Sequence, residues 1–182
     1  MKQELRNKKV EFIWRITSSH TIAYFIAGIF ALLFMNYKEE FGGEIMSTIM
    51  RPVESPWVAL GAGLQIFRGI IVALVLLPFK DALISKNGWI KLSALILGLS
   101  YFSTIGPTFG SFEGYIYTKV PLQYHLLGLP ETLIYTFLLT FIISFWYRKP
   151  SKVCGVISIV LVTLIILMSF LGLLSSLGII KN

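Results

Sequence analysis

Five long runs of apolar residues divide the chain, and they constrain its fold more than any other feature. A helix needs roughly 20 residues to cross the hydrocarbon core of a bilayer, and the runs approach or exceed that length. Only helices and closed barrels satisfy their backbone polar groups in lipid, and continuous rather than alternating runs exclude a barrel. The pattern predicts an all-α polytopic transmembrane helix bundle. The predicted spans cover residues 16–35, 57–77, 89–105, 125–147 and 153–180.

The composition supports the same fold class. Hydrophobic residues make up 55% of the 182 residues and charged residues only 14%, whereas soluble domains carry about 25% charged residues. We therefore expect one integral membrane domain, residues 1–182, with four or six spans as alternatives to five. The single cysteine, Cys154, excludes an internal disulfide. The formal charge of +7 comes from residues that flank the apolar runs, so nucleic acid is not an expected partner, whereas the lipid bilayer is.

Lysine and arginine are distributed unevenly between the predicted loops. Eleven of them lie in segments that are cytoplasmic if the N-terminus is inside, and four lie in the opposite segments. Because positive residues accumulate on the cytoplasmic side, the bias predicts an N-in, C-out protein of a plasma (inner) membrane. No small-x-small cleavage site follows the first apolar run, which we therefore expect to be an uncleaved span. The tryptophans at predicted span ends, where an aromatic belt forms, are Trp14, Trp57, Trp89 and Trp146.

Two predicted outer loops have unusual sequences. Loop 36–56 contains four apolar residues at helical spacing, which predicts a short helix lying in the outer interface. Those four are Ile45, Met46, Ile49 and Met50. Loop 106–124 is rich in glycine and aromatic residues and poor in charge, unlike a freely solvated loop. We expect it to fold back into the mouth of the bundle, since irregular backbone at membrane depth must be covered by protein or line a water-filled cavity.

Arg68 is the residue of the predicted spans that most needs explanation. It lies eleven residues into the second span, about 16 Å along the helix axis and hence near the bilayer centre. Insertion of arginine there costs about 2.5–3.5 kcal/mol, so we expect it to face the bundle interior with a partner. Gln65 lies on the same helical face. The pattern favours a functional cation, and a structural arginine locked to a carboxylate or carbonyls is the alternative.

Glu131 is the expected partner of Arg68. In that interpretation it forms an ion pair or a proton site facing Arg68 and Gln65, with Tyr135 one turn further along the same face. The alternative follows from Pro130, which is typical of a first helical turn. Glu131 would then be a first-turn acid that the helix dipole stabilises. Both interpretations remain open on the sequence alone.

The remaining polar candidates are His20, His125 and Glu113. The predicted topology places His20 near the inner end of the first span, as an interfacial hydrogen-bonding residue, and His125 at the outer mouth of the fourth. Because one cysteine and two separated histidines offer no metal-ligand spacing, neither a metal nor another cofactor is expected. Glu113 lies between glycines in loop 106–124.

The ionisable residues of the predicted outer half indicate one outward-facing polar cavity. Its candidate ligand-binding residues are Arg51, Glu54, Gln65, Arg68, Glu113, His125 and Glu131. We expect a small polar or anionic ligand and a transporter or receptor-like subunit, acting as a homo-oligomer or with a partner subunit because five helices leave little room for alternating access. One alternative is a membrane-embedded enzyme acting on a lipid or peptide at the outer face, in which Glu113, His125 and Glu131 would supply acid-base groups although no catalytic motif is present. A structural or assembly subunit is the second alternative.

Overall fold

The computed structural model describes residues 2–104 and 106–180, and every regular element within them is a helix. The α-helices in chain order are α1 (Lys2–Phe34), α2 (Tyr37–Gly42), α3 (Pro56–Leu76), α4 (Lys80–Ile84), α5 (Gly88–Leu95), α6 (Phe112–Tyr117), α7 (Leu122–Leu127), α8 (Leu129–Arg148) and α9 (Lys152–Ser176). Short 3₁₀ turns occupy Met46–Thr48 and Leu77–Phe79. A π-helix, Ile96–Phe102, continues directly from α5.

The all-helical class is confirmed, and four apolar helical segments are long enough to cross a membrane. They are Arg6–Phe34, Pro56–Ile84, Leu122–Arg148 and Lys152–Ser176. These segments correspond to the first, second, fourth and fifth predicted spans. The third predicted span is a shorter apolar helix, Gly88–Phe102, whose second half is the π-helix. Its predicted end at Ile105 lies outside the described residues, as does the outer-loop residue Lys181.

Helix α1 is much longer than the span predicted from the sequence. The basic segment before Ile16 continues the helix down to Lys2 instead of forming a separate flank. Ion pairs spaced one turn apart support this extension, between Glu4 and Lys8 and between Glu11 and Arg15. His20 lies at the midpoint of the helical segment Arg6–Phe34, five residues after Arg15.

Helix α1 is also the centre of the bundle. It contacts α3, α8 and α9, while α3 contacts α9 and α5 contacts α8. All seven residues from 15 to 21 are buried, so neighbouring helices cover every side of α1 at this level. Most of these side chains are small and polar, and such residues let helix backbones approach closely within a membrane.

Helix α3 approaches α1 closely at Gly69. A Cβ atom at this position would lie 3.0 Å from the backbone oxygen of Thr17 and 3.2 Å from Cδ2 of His20. A larger residue would therefore force the two helices apart. Because Arg68 immediately precedes Gly69, the contact places the Arg68 backbone at the level of His20, halfway along α1.

Apolar packing holds the rest of the bundle together. The core includes Phe12 and Ile16 of α1, Leu92 of α5, and Leu139 and Ile143 of α8. Helix α9 turns a narrow stripe that includes Val162 and Ile165 inward, whereas most of its other apolar side chains are exposed. That distribution is typical of a helix whose outer face contacts lipid.

Two of the four tryptophans pack against neighbouring helices. Trp14 donates a hydrogen bond from Nε1 to Oγ of Ser158, 3.0 Å away, which connects α1 to α9. Trp146 is buried against α1. Trp57 and Trp89 are exposed at the first turns of α3 and α5, where an interfacial aromatic residue is expected.

Both long loops contain helices. The helix predicted from the spacing at residues 45–50 is only a single 3₁₀ turn, Met46–Thr48, and the α-helix of this loop lies earlier, at α2. Met46 alone of the four spaced residues is buried. Loop 106–124 forms α6 and the start of α7, with Ser111 buried beneath it. It is thus a folded segment, although the side chains of α6 are mainly exposed.

Candidate functional site

A polar cavity of about 200 Å³ lies between α1, α3, the π-helix and α8. It is lined by Tyr24, Arg68, Ile96, Ser100, Tyr101, Gly128, Glu131, Thr132 and Tyr135. The structure thus brings Arg68 and Glu131, two of the residues singled out in the sequence, to the wall of one cavity. Tyr135 joins them there, on the same face of α8 as Glu131, as the helical spacing predicts.

The predicted ion pair between Arg68 and Glu131 is wrong. Within residues 2–104 and 106–180, the guanidinium of Arg68 has neither an ion-pair nor a hydrogen-bond partner. Oε2 of Glu131 instead accepts a hydrogen bond of 2.6 Å from the hydroxyl of Tyr37 on α2. Glu131 lies in the first turn of α8 with a proline beside it, which is the alternative that Pro130 suggested. The loop helix α2 therefore supplies the partner that α3 was expected to supply.

Tyr37 reaches the cavity from outside the membrane-spanning segments. Burial, and then the hydrogen bond to the carboxylate of Glu131, raise the pKa of the Tyr37 phenol above its ordinary value. The phenol therefore stays protonated and keeps donating to Glu131 throughout the physiological pH range. This contact ties loop 36–56 to the first turn of α8.

A hydrogen-bonded cluster beside the cavity connects three helices. Nε2 of His20 lies 3.2 Å from Oε1 of Gln65, and Nδ1 of His20 lies 2.6 Å from the hydroxyl of Tyr135. Because the amide oxygen can only accept, Nε2 carries the proton and Nδ1 accepts from the Tyr135 hydroxyl. Gln65 belongs to this cluster, since it contacts His20 and lies outside the set of residues that line the cavity.

His20 is the residue of this cluster whose complete burial was not predicted. Its side chain is 0% exposed, enclosed by the helices that pack around α1. A signal for this burial was present, because residues 17–21 form a continuous polar stretch inside an apolar run. Polar residues within a span are satisfied by other helices, and His20 makes its hydrogen bonds to Gln65 and Tyr135.

Arg15 was counted in the sequence as one of the inner positive residues, and its structural contacts were not foreseen. Its side chain is buried and pairs with Glu11. Nη1 donates to the backbone oxygen of Trp146, 3.2 Å away. Cζ lies 5.3 Å from the ring of Trp146 and 4.6 Å from the ring of Tyr147, both within the range of cation–π attraction. Arg15 therefore fastens α1 to the end of α8.

A second, larger cleft of about 810 Å³ lies between the two loops. His125 is one of its wall residues, and Nδ1 of His125 accepts a hydrogen bond from the backbone N–H of Gly110 at 3.3 Å. Glu113 closes the neighbouring turn, because its Oε2 accepts from the backbone N–H of Gly106 at 2.7 Å. The structure places His125 on this cleft and uses Glu113 as a loop-closing residue.

The last two candidate residues lie on the surface. Arg51 stacks over the ring of Trp57, with Cζ 5.8 Å from the ring centroid. Glu54 forms an exposed ion pair with Lys38, 2.9 Å apart, and this contact lowers the pKa of the Glu54 carboxyl. The seven candidate residues are therefore divided between a cavity, its adjoining cluster, a separate cleft, a loop turn closed by Glu113, and the surface.

No protein-family model, curated protein or solved structure matches this chain. A function must therefore be argued from the side chains around the cavity. They combine an unpaired guanidinium, a carboxylate held by a phenol, and several hydroxyl groups. Within the residues that the structure describes, no three His, Cys, Asp or Glu side chains are grouped closely enough to hold a metal ion.

Proposed function

We propose that this protein is a transporter or receptor-like membrane subunit that binds a small anionic or polar ligand in the Arg68 cavity. The observation that carries the proposal is the unpaired guanidinium of Arg68 on the cavity wall, near the middle of the apolar segment Pro56–Ile84. A charge at this depth is costly, and membrane proteins retain one chiefly where it faces a cavity or an ion pathway. A bound anion would supply the missing counter-charge.

The cavity has the chemistry that an anion needs. Guanidinium presents a planar set of N–H donors that matches carboxylate or phosphate oxygens. The hydroxyl of Ser100 also lines the cavity and adds a further donor, whereas the hydroxyl of Thr132 already donates to the backbone oxygen of Gly128. A volume of about 200 Å³ is that of six or seven water molecules at roughly 30 Å³ each, which fits a small ligand. Glu131 favours ligands that also carry a donor or a positive group.

The proposal includes five spans, with the N-terminus inside and a plasma (inner) membrane as the location. The positive residues favour this orientation by eleven to four. The apolar helix Gly88–Phe102 would be the third span, and its π-helix shortens the distance it covers. In this topology α2 and α6 lie outside, so the end of the cavity held by Tyr37 faces outward. A protein this small would act as a homo-oligomer or with a partner subunit.

Ligand-dependent thermal stability tests the proposed cavity. The purified protein is unfolded in detergent with acetate, phosphate, sulfate or glycine at increasing concentration. A ligand at 100 times its Kd adds about 2.7 kcal/mol of stability, so one of these probes is expected to raise the Tm. Arg68→Gln should abolish the rise, and Arg51→Gln, an arginine on the surface, should keep it. An equal rise in Arg68→Gln would contradict the proposal.

Reporter fusions test the topology separately. Fusions after Lys86 and Lys149 are expected to report the cytoplasm, and a fusion after Glu40 the outside. An external signal after Lys149 would exclude the five-span arrangement without affecting the chemistry of the cavity.

A further inference from the structure

The polar groups on the wall of the Arg68 cavity are of two kinds, engaged and free. Three hydroxyl groups already donate hydrogen bonds within the protein, those of Tyr101, Thr132 and Tyr135. Among the described residues, the hydroxyls of Tyr24 and Ser100 and the guanidinium of Arg68 have neither a hydrogen-bond nor an ion-pair partner. These three groups are the donors that the cavity offers to a ligand.

Glu131 presents a free carboxylate oxygen to the same cavity. Its Oε2 accepts from Tyr37, whereas its Oε1 has no hydrogen-bond partner in the described part of the chain. Oε1 is also accessible, in contrast to the enclosed Nε2 of His125. Because a hydrogen bond donated by Tyr37 favours the charged form of the acid, Glu131 is held as a carboxylate that can receive a positive group.

Arg68 and Glu131 lie at different levels of the bundle. The backbone of Arg68 is level with His20, which the hydroxyl of Tyr135 also contacts. Glu131 precedes Tyr135 by one helical turn, about 6 Å along the axis of α8, on the side where Tyr37 binds it. The two opposite charges are therefore arranged one beyond the other along the cavity. A ligand that meets both must carry an anionic group at one end and a cationic group at the other.

We propose that the cavity binds a small amino acid as its zwitterion, with the carboxylate on Arg68 and the ammonium group on Oε1 of Glu131. This inference rests on the proposed function and names the class of its ligand. A simple anion would compensate Arg68 but would place a second negative charge beside Glu131. A zwitterion compensates both charges and adds no net charge within the membrane.

The size and the remaining donors of the cavity fit the same class of ligand. The hydroxyls of Tyr24 and Ser100 are additional donors for the ligand carboxylate. The volume of about 200 Å³, equal to six or seven water molecules at roughly 30 Å³ each, accommodates an amino acid with a small side chain.

Matched ligands distinguish a zwitterion from a simple ion. Acetate is glycine without its ammonium group, and methylamine is glycine without its carboxylate. Each of the three is titrated into the purified protein in detergent at neutral pH by isothermal titration calorimetry. Glycine should bind at least about tenfold more tightly than either analogue, because each analogue leaves one charge of the cavity without a partner. Equal binding of glycine and acetate, with both lost in Arg68→Gln, would overturn the zwitterion while the proposed anion site remained.

Glu131→Gln should change two affinities in opposite directions. Glycine loses the group that holds its ammonium and should bind about tenfold more weakly, whereas acetate loses a neighbouring like charge and should bind more tightly. A damaged fold would weaken both ligands, so the opposite responses identify the ligand contact. Tyr37→Phe is the matched control, because it removes the same hydrogen bond but keeps the carboxylate, and it should still prefer glycine to acetate. Parallel weakening of glycine and acetate in Glu131→Gln overturns the proposal.

Arg68→Gln provides the complementary test if Glu131→Gln does not fold. Glycine and acetate should both bind more weakly to this variant, whereas methylamine should bind more tightly because a like charge is removed. Unchanged binding of glycine overturns the proposal. Failure of glycine and of all the simple anions to bind the wild type would contradict the proposed function itself, and this inference with it.

A lipid headgroup is the competing source of the same two charges, since phosphatidylethanolamine carries an acidic phosphate and an ammonium group. Glycine is therefore also titrated into the protein in phosphatidylcholine nanodiscs with and without phosphatidylethanolamine. The affinity for glycine should be the same in both. A loss of glycine binding in the presence of phosphatidylethanolamine would make the headgroup the occupant of the cavity and overturn the assignment to a free amino acid.

Discussion

Arg15 and Arg68 are both arginines within long apolar helical segments, yet their surroundings are opposite. Arg15 is enclosed by Glu11, Trp146 and Tyr147, which meet its charge on several sides. Arg68 is exposed to a cavity and, in the described part of the chain, has neither an ion-pair nor a hydrogen-bond partner. The charge of Arg15 holds two helices together. The charge of Arg68 is the one that we propose binds a ligand.

This difference shows why a charged residue in a span cannot be interpreted from its depth alone. In the sequence Arg68 interrupts an apolar run, whereas Arg15 lies at the end of a basic segment that precedes the first apolar run. In the structure the apparent flank is the tightly packed residue. Packing against aromatic rings and backbone carbonyls, which depends on the partner helix, decides the role.

The largest expected effect is the loss of stability in Arg15→Leu. Cation–π contacts contribute about 0.5–2 kcal/mol, and a hydrogen bond from a charged donor about 1.5–3 kcal/mol. We therefore expect this variant to lose about 3 kcal/mol of stability. Thermal unfolding in detergent measures the loss, with Arg6→Leu, an exposed arginine on the same helix, as the control.

Arg68→Leu is the matched variant for the second arginine. Since no ion pair or hydrogen bond of the described residues is lost, its Tm without ligand should equal or exceed that of the wild type. A fall as large as that of Arg15→Leu would remove the distinction between a structural and a ligand-binding arginine.

The next effect concerns which group forms the hydrogen bond to the Glu131 carboxylate. A double-mutant cycle of Tyr37→Phe and Glu131→Gln should give a coupling energy of about 1.5–3 kcal/mol, because the two groups share a charge-assisted hydrogen bond. A cycle of Arg68→Leu and Glu131→Gln should be additive within about 0.5 kcal/mol. Chemical or thermal unfolding of the four proteins in each cycle provides the values. Strong coupling in the second cycle would restore the ion pair that the structure lacks.

A smaller effect is expected at the central cluster. Tyr135→Phe removes the hydroxyl that lies 2.6 Å from Nδ1 of His20 and leaves a buried acceptor unsatisfied. The expected loss is about 1–2 kcal/mol. Phe137→Tyr, on the exposed face of the same helix, is a control for changing a hydroxyl on α8. Equal Tm values for Tyr135→Phe and the wild type would show that the hydrogen bond contributes nothing to the fold.

The apolar runs were sufficient to predict the helical membrane class and the location of four segments. They did not predict the start of α1, because a basic segment before a span resembles the charged loop that precedes a membrane-spanning helix. The i,i+4 pairs Glu4–Lys8 and Glu11–Arg15 were the overlooked helix signal. Extending α1 to Lys2 by this signal would have placed Ser18 at its centre and His20 two residues beyond it.

The site was predictable in part for a physical reason. Arg68 and Glu131 were found because charges are rare in apolar runs, and the structure brings both to one cavity. The partner of Glu131 lies on α2, whose position is set by tertiary contacts that no local pattern encodes. For the same reason His125, grouped with Arg68 by its predicted side of the membrane, lies instead on a separate cleft.

The smallest expected effect belongs to the exposed carboxylate, Glu54, which contrasts with the half-buried Glu131. Lys38 lowers the pKa of Glu54, and Glu54 in turn raises the pKa of Lys38. Because its pKa is lowered in the folded protein, Glu54 contributes to stability at pH values above its unfolded-state pKa. This contribution is lost as the pH falls through its folded-state pKa. Lys38, whose pKa is raised, contributes to stability at pH values below its unfolded-state pKa. This contribution is lost as the pH rises through its folded-state pKa.

The ion pair between Lys38 and Glu54 is therefore intact from above about pH 4.3 to below about pH 10.4, the ordinary pKa values of the two groups. Solvent screens exposed pairs so strongly that many contribute nothing measurable. Glu54→Gln should accordingly leave the Tm unchanged between pH 6 and pH 8, where neither group titrates, and added salt should not alter this. Glu131→Gln, measured in parallel, should lower the Tm because it weakens the contact with Tyr37. If the two variants lost equal stability, burial would not be what separates a structural carboxylate from a solvated one in this bundle.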